Sequence, residues 1–155
     1  MRGKQAKKRQ IKPDEVYGSE VVSKFINYIM LDGKKATARY IVYKALGDLS
    51  SKTKTDAVEA LEKALNNVKP RTEVRSRRIG GANFQVPVPV NPSRQLALGF
   101  KWIIEAARNA RKTEEFWVSL SRELMNAYKN EGAAVKKKEE VHRMAEANKA
   151  FAQFA

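Results

Sequence analysis

Along most of this chain apolar residues recur every three or four positions, but between Thr72 and Val90 they recur at every second one. That change of period, and the change back, constrains the fold more than any other feature. A stretch with period two cannot sit on a helix face and must run as strands. Val74 alternates with Glu73 and Arg75, and Phe84, Val86, Val88 and Val90 alternate with Gln85, Pro87 and Pro89. Gly80-Gly81 lies midway and suits a two-residue hairpin turn, whose central residues need positive φ. With that turn, Arg77 pairs with Phe84, Arg75 with Val86 and Glu73 with Val88. One face then interleaves arginine with apolar groups, and Arg78 and Asn83 lie on the other near the tip. A slip of one residue would exchange the faces. Pro87 and Pro89 cannot donate to a further strand. An isolated two-stranded arm over about 72–90 is therefore expected, marginal alone and in need of a surface to lie on.

Helices flank the arm on both sides. Helix one is expected over about 19–31, with Val21, Val22, Phe25, Ile26, Ile29 and Met30 on one half of the wheel, stopped by Asp32-Gly33 with Gly33 left-handed. Helix two follows over about 35–49, and 50–54 reads as a polar loop. Helix three runs from a Thr55 or Asp56 cap to Val68, before Pro70. After the arm, Asn91-Pro92 is a cap followed by proline at the first helical position. Helix four continues to about Ala110, with Leu96, Phe100, Ile103, Ile104 and Ala107 inward and Leu98 and Trp102 outward. Thr113 is the expected cap of helix five, with Glu114-Glu115 in its first turn. Gly132 breaks the chain, and helix six runs from Ala133 towards Phe151 with Val141, Met144, Ala145 and Phe151 inward. The fold class is mainly α: six helices with a protruding antiparallel hairpin between the third and fourth.

A length of 155 residues suits one domain, here 13–155, behind a short arm. It is enough to bury roughly 70% of the surface the unfolded chain exposes. No cysteine is present, which excludes disulfides and cysteine-based zinc sites. No apolar run approaches the ~20 residues of a membrane span, and no signal-peptide core follows Met1. Lys and Arg total 31 against 17 Asp and Glu, a net charge of +14 on a chain with 43% hydrophobic residues. A folded core with so positive a field favours a polyanion, with nucleic acid first and an anionic membrane second.

The charge is concentrated. Residues 1–12 carry Arg2, Lys4, Lys7, Lys8, Arg9 and Lys12 without an acid, and read as a flexible arm that orders on binding. Between 69 and 94 the bases include Arg75, Arg77, Arg78 and Arg94, against Glu73 alone. In the hairpin, arginines reach phosphates, and guanidinium planes and Phe84 can stack on bases. On helix four, Arg94, Lys101 and Arg108 are spaced by seven, Lys112 extends the stripe, and Trp102 lies beside it. Lys34 and Lys35 follow Gly33 at the start of helix two, without the glycine spacing of a P-loop. Lys136, Lys137 and Lys138 form a last cluster, for which a solvated face is the competing reading.

Catalysis finds no support. His142 is the single histidine, so Ser-His and Cys-His machinery is excluded, and its Glu-x-x-His context lacks the second motif of a di-iron bundle. The acids are scattered among bases. Neither a cofactor nor a metal site is indicated. By physics alone two binding classes stay open: an RNA-binding structural protein, and an architectural double-stranded DNA binder with a β-arm, whose proline wedge would belong at the tip.

Arg75-Ser76-Arg77-Arg78-Ile79-Gly80-Gly81, followed by Phe84-Gln85-Val86-Pro87-Val88, resembles the hairpin of the family of the seventh small-subunit ribosomal protein, in its bacterial type. The resemblance extends to Asp32-Gly33-Lys34-Lys35, to Trp102–Arg108, and to Val141-His142-Arg143-Met144-Ala145, and covers about 9–154. Pro89 departs from the acid frequent there, and helix five matches poorly. The resemblance implies a non-enzymatic helical domain that binds the 3′ major domain of 16S-type rRNA and nucleates assembly of the subunit head. It implies RNA contacts from the N-terminal arm, the Gly-Lys-Lys junction, the hairpin and helix four, with Lys136–Lys138, His142 and Arg143 added here. The hairpin tip, with Arg77, Arg78, Gly80, Gly81, Asn83 and Phe84, would lie near E-site tRNA and mRNA. The ninth and eleventh small-subunit proteins would be neighbours. The location implied is a cytoplasmic ribosome, with plastid and mitochondrial ribosomes left open.

Overall fold

A computed structural model describes Gly3 and residues 9 to 154. Arg2, Lys4, Lys7 and Lys8 of the expected arm lie outside the described residues. The described chain runs α1 (Glu20–Ile29), α2 (Lys35–Thr53), α3 (Ala57–Val68), β1 (Thr72–Ile79), β2 (Ala82–Pro89), α4 (Pro92–Ala110), α5 (Phe116–Tyr128), α6 (Ala133–Ala147) and a terminal 3₁₀ helix (Lys149–Phe154). The mainly α class with a hairpin between α3 and α4 is as expected.

Local chemistry sets most of the starts. Ser19 caps α1 by accepting the Val21 N–H, Asp56 caps α3 by accepting from Val58 and Glu59, and Asn91 caps α4 by accepting from Arg94, with Pro92 at the first position. The ends follow expectation less closely. α1 stops at Ile29, and Asp32 and Gly33, at φ 51° and 71°, form a separate tight turn closed by the Lys34 N–H on the Leu31 carbonyl at 2.9 Å. The expected polar loop at 50–54 is mostly helix. Ser51 and Thr53 turn their hydroxyls onto the carbonyls of Asp48 and Leu49, and left-handed Lys54 ends α2. Thr113 is no cap: α5 begins after Glu115, and Glu114 pairs with Arg122 instead. α6 ends at Ala147, and the chain tightens into the 3₁₀ helix rather than continuing to Phe151.

The core is a set of fully buried side chains shared by all layers: Val22, Phe25 and Ile26 of α1, Leu46 and Leu49 of α2, Leu61 and Leu65 of α3, Phe100 and Ile103 of α4, and Leu120 and Leu124 of α5. Phe25 and Phe100 stack at 5.2 Å between ring centroids. α4 packs against α1, α3, α5 and α6. Cover on so many sides widens its buried arc, and Leu98 and Trp102, expected outward, are buried. Met144, expected inward, is 42% exposed, because α6 buries only Ala134, Val135 and Ala145.

The start of α6 is capped from a distance. Gly132, at φ 94°, has no side chain to offer, and a Cβ there would meet Glu123 Oε1 at 2.9 Å. Buried Glu123 of α5 accepts the Ala134 N–H at 2.9 Å in its place. Burial pushes its carboxyl pKa up, opposed by the N–H groups it accepts.

Candidate nucleic-acid interface

The hairpin forms in the expected register: Arg77 faces Phe84, Arg75 faces Val86 and Glu73 faces Val88, around a Gly80-Gly81 turn with both φ positive. Gly80, Gly81, Arg77, Arg78 and Asn83 are all solvent-exposed at or near the tip or half-exposed beside it. As expected, the arm joins no larger sheet among the described residues, and it has a surface to lie on. β1 lies against α6 and β2 against the 3₁₀ helix, and Val86 is fully buried. Phe84 packs on Phe151 and Phe154, at 5.2 and 5.9 Å between centroids, so its ring is taken up within the protein rather than free for bases. Arg77 donates to the Phe154 carbonyl at 2.9 Å. Arg75 and Arg94 both pair with Glu73, at 2.6 and 3.4 Å, joining the arm's base to the start of α4.

α4 carries the clearest surface. Arg94, Lys101 and Arg108 are exposed along it, one every two turns. Lys112 is exposed as well, but α4 ends at Ala110, so it lies beyond the stripe. Arg108 donates to the carbonyl of Ile29 at the end of α1, at 3.4 Å. This crossing brings the Gly-Lys-Lys junction into reach: Lys34, Arg108 and Arg111 line one cavity. A second, smaller groove holds Tyr28, Lys101, Glu105 and Arg108. A third, beside the start of α1, holds Arg9, Lys12, Lys24 and Ser93 together with Glu20. The described root of the arm, the α1–α2 turn and α4 thus share one face. Among the described residues, Lys24, Lys34, Lys35, Lys101, Arg108, Arg111 and Lys112 make no ion pair with a carboxylate. The basic side chains outnumber the acids on these grooves, Glu20, Asp32 and Glu105, and leave a surplus of positive charge on a helical support, as a phosphate-binding surface requires.

Tyr28 was not singled out by sequence reasoning. It is 46% exposed, packs tilted on Phe100 at 5.3 Å between centroids, and offers a ring beside Lys101 and Arg108 of α4. The available signal was an aromatic on the polar side of the α1 wheel.

The α6 residues divide differently. Lys136 and Arg143 are exposed, and Lys137 pairs with Glu140 at 2.8 Å. Lys138 donates to the Asn67 carbonyl at 2.6 Å, closing the last turn of α3. His142 accepts the Arg71 N–H on Nε2 at 3.0 Å. Burial, with the cations of Lys138 and Arg71, pushes its pKa down, so the ring is held neutral as an acceptor. Lys138 and His142 are therefore engaged within the fold, pinning α6 to the end of α3 and the root of β1.

Among the described residues no helix is long and apolar enough to cross a membrane, and no cluster of His, Cys, Asp and Glu could hold a metal ion. The family model described as ribosomal protein S7p/S5e matches residues 1–149. The chain is 53% identical over 154 residues to the small ribosomal subunit protein uS7 of Thermosipho africanus, spanning 99% of both chains. It is 52% identical to the protein of that name from Sulfurovum sp., again over 99% of both. With that of Maridesulfovibrio salexigens it shares 54% over 95% of this chain and 94% of the relative.

Proposed function

We infer the function from one premise: the chain belongs to the ribosomal protein S7p/S5e family. It acts as a structural, non-enzymatic protein of the small ribosomal subunit, and it binds the 3′ major domain of 16S-type rRNA directly. The observation that carries this reading is the face on which Lys101 and Arg108 of α4, Lys34 of the α1–α2 turn and the root of the N-terminal arm make no ion pair among the described residues. A-form RNA hides its major-groove edges, so such a face reads phosphates and the shape of a helical junction. In this reading the arm, the junction and α4 make the primary contact that nucleates the subunit head. The hairpin tip then extends towards E-site tRNA and mRNA, and the α6 side meets neighbouring proteins such as the ninth and eleventh. The ribosome is the place of action.

The architectural DNA reading fits less well. Its wedge would need an apolar or proline residue at the arm's tip, and Pro87 and Pro89 pair with Val74 and Thr72 at the base. A competition titration decides between the two. The full chain is expected to bind a folded multi-helix junction from the 3′ major domain roughly 10³-fold or more tightly than duplex DNA of equal length at physiological salt. Equal affinities would promote the DNA reading.

A further inference from the structure

The α1–α2 turn, the start of α2, the end of α4 and the start of α5 enclose a cavity of about 470 Å³. That lies within the ~300–1,000 Å³ of small-ligand pockets. Its floor is apolar: Ile29 and Ala38 are buried, and Ile41 and Phe116 are half-buried. Its rim carries exposed Lys34, Arg108 and Arg111. Both guanidiniums are held by neutral acceptors, Arg108 by the Ile29 carbonyl at 3.4 Å and Arg111 by the Glu114 carbonyl at 3.1 Å. A carbonyl orients a cation without cancelling its charge, so both stay available to an anion.

Asp32 is the informative residue. A bare phosphate site has no use for a carboxylate, which repels the ligand. Yet Asp32 stands on this rim, and among the described residues it pairs with none of the three cations within 4.0 Å. Its backbone is fixed at φ 51° in a turn closed by two hydrogen bonds, Lys34 N–H to Leu31 O and Lys35 N–H to Gly33 O. An apolar slot with cations and one acceptor at its mouth matches an unpaired nucleotide. The base enters the slot, the phosphate stays outside on the guanidiniums, and N–H groups of the base edge reach the carboxylate. Guanine is the one RNA base whose Watson–Crick edge presents adjacent N1–H and N2–H donors, the pair that a carboxylate accepts with both oxygens.

We propose that this cavity takes a splayed-out guanosine of the bound RNA, with Asp32 as the specificity-determining acceptor and Arg108 and Arg111 holding its phosphate. The inference rests on the RNA-binding function above and deepens it, by adding a base-specific subsite to a surface otherwise built for phosphates.

The test titrates the full chain with the single-stranded RNA pentamers UUGUU, UUAUU, UUCUU and UUUUU, and separately with the rRNA junction. Affinity is read by fluorescence anisotropy, and the Ile29 and Ile41 methyl groups by NMR. UUGUU is expected to bind about tenfold more tightly than the other pentamers, the scale of one bidentate base contact, and to move both methyl signals. Asp32→Asn should abolish the preference, so that UUGUU and UUUUU bind this variant equally, with UUUUU bound at least as well as by the parent because a repelling charge is gone. Thr37→Trp, an exposed rim substitution that fills the slot, should also abolish the preference, with circular dichroism confirming an unchanged helical fold. Equal binding of all four pentamers with the methyls unmoved, while the junction still binds, overturns the pocket and leaves the rRNA reading intact. A guanine preference that survives Asp32→Asn places the subsite elsewhere and also overturns it. Failure to bind the junction at all overturns the reading beneath.

Discussion

The α1–α4 face and the α6–hairpin side look alike as strings of basic residues, but they use their charges differently. On the first, Lys34, Lys101 and Arg108 make no ion pair among the described residues. On the second, Arg75 and Arg94 share Glu73, Arg77 caps the Phe154 carbonyl, Lys137 holds Glu140, and Lys138 and His142 join α6 to the Asn67 carbonyl and the Arg71 N–H. One region presents cations to a partner. The other employs several of them to hold a hairpin in place, which suits an arm that has to keep its direction. A count of basic residues cannot make that distinction, since availability depends on what the fold places opposite each one.

The largest expected effect tests the support beneath the first face. Phe100→Ala should lower the unfolding free energy by about 3–5 kcal/mol in urea titrations, as removal of a fully buried aromatic does. Its neighbour Lys101→Glu should stay within about 0.5 kcal/mol of the parent, yet weaken binding to the rRNA junction. If Lys101→Glu unfolds the protein and leaves binding per folded molecule unchanged, the contrast between the two regions collapses.

Next comes the pin on the α6 side. His142→Ala leaves the Arg71 N–H without its acceptor and is expected to cost about 1 kcal/mol. His142→Gln should keep the hydrogen bond and lose the titration. Because the folded-state pKa of His142 lies below its ordinary 6.5, the ring's contribution to stability is complete above that value. It is lost as pH falls through the lowered folded value, where the unfolded state binds the proton first. Burial and the cations of Lys138 and Arg71 oppose the proton, and the other charges of that groove, Glu146 and Lys149, pair with each other at 3.1 Å. The stability difference between parent and His142→Gln should therefore be flat from pH 8 to about 7 and shrink on acidification. A difference that grows on acidification would contradict this sign.

A smaller effect is expected at the latch. Phe151→Ala combined with Phe154→Ala removes both ring contacts to Phe84, each worth roughly 0.5–1.5 kcal/mol. Backbone amides of β2 should then exchange faster with solvent, while those of α4 keep their protection. Smallest is Lys136→Ala, whose side chain has no partner among the described residues to lose: stability should not move. If Lys136 meets a phosphate, the log–log salt dependence of junction binding should flatten by roughly 0.7–0.9. An unchanged slope would assign Lys136 to solvent and leave Arg143 as the exposed α6 cation still to be tested.

What the sequence determined by itself is local. The hairpin register followed from the period of two and from Gly80-Gly81, because a two-residue turn admits one pairing of its flanks. The starts of α1, α3 and α4 followed from Ser19, Asp56 and Asn91-Pro92, because a cap satisfies amides two or three residues away. The stripe of Arg94, Lys101 and Arg108 followed from helical spacing. Tertiary structure decided what depends on residues far apart in the chain. Trp102 and Leu98 are buried because α4 is covered on several sides, which no wheel drawn from α4 alone reveals. α6 starts where it does because Glu123 reaches across from α5 to a glycine that cannot cap. Lys138 and His142, both half-buried, are engaged by partners 71 positions away. Periodicity and capping act over a turn or two of backbone, whereas the partner of a cation or the cover over an indole is set only when distant elements pack, and that packing decided which of this chain's many charges are left to bind.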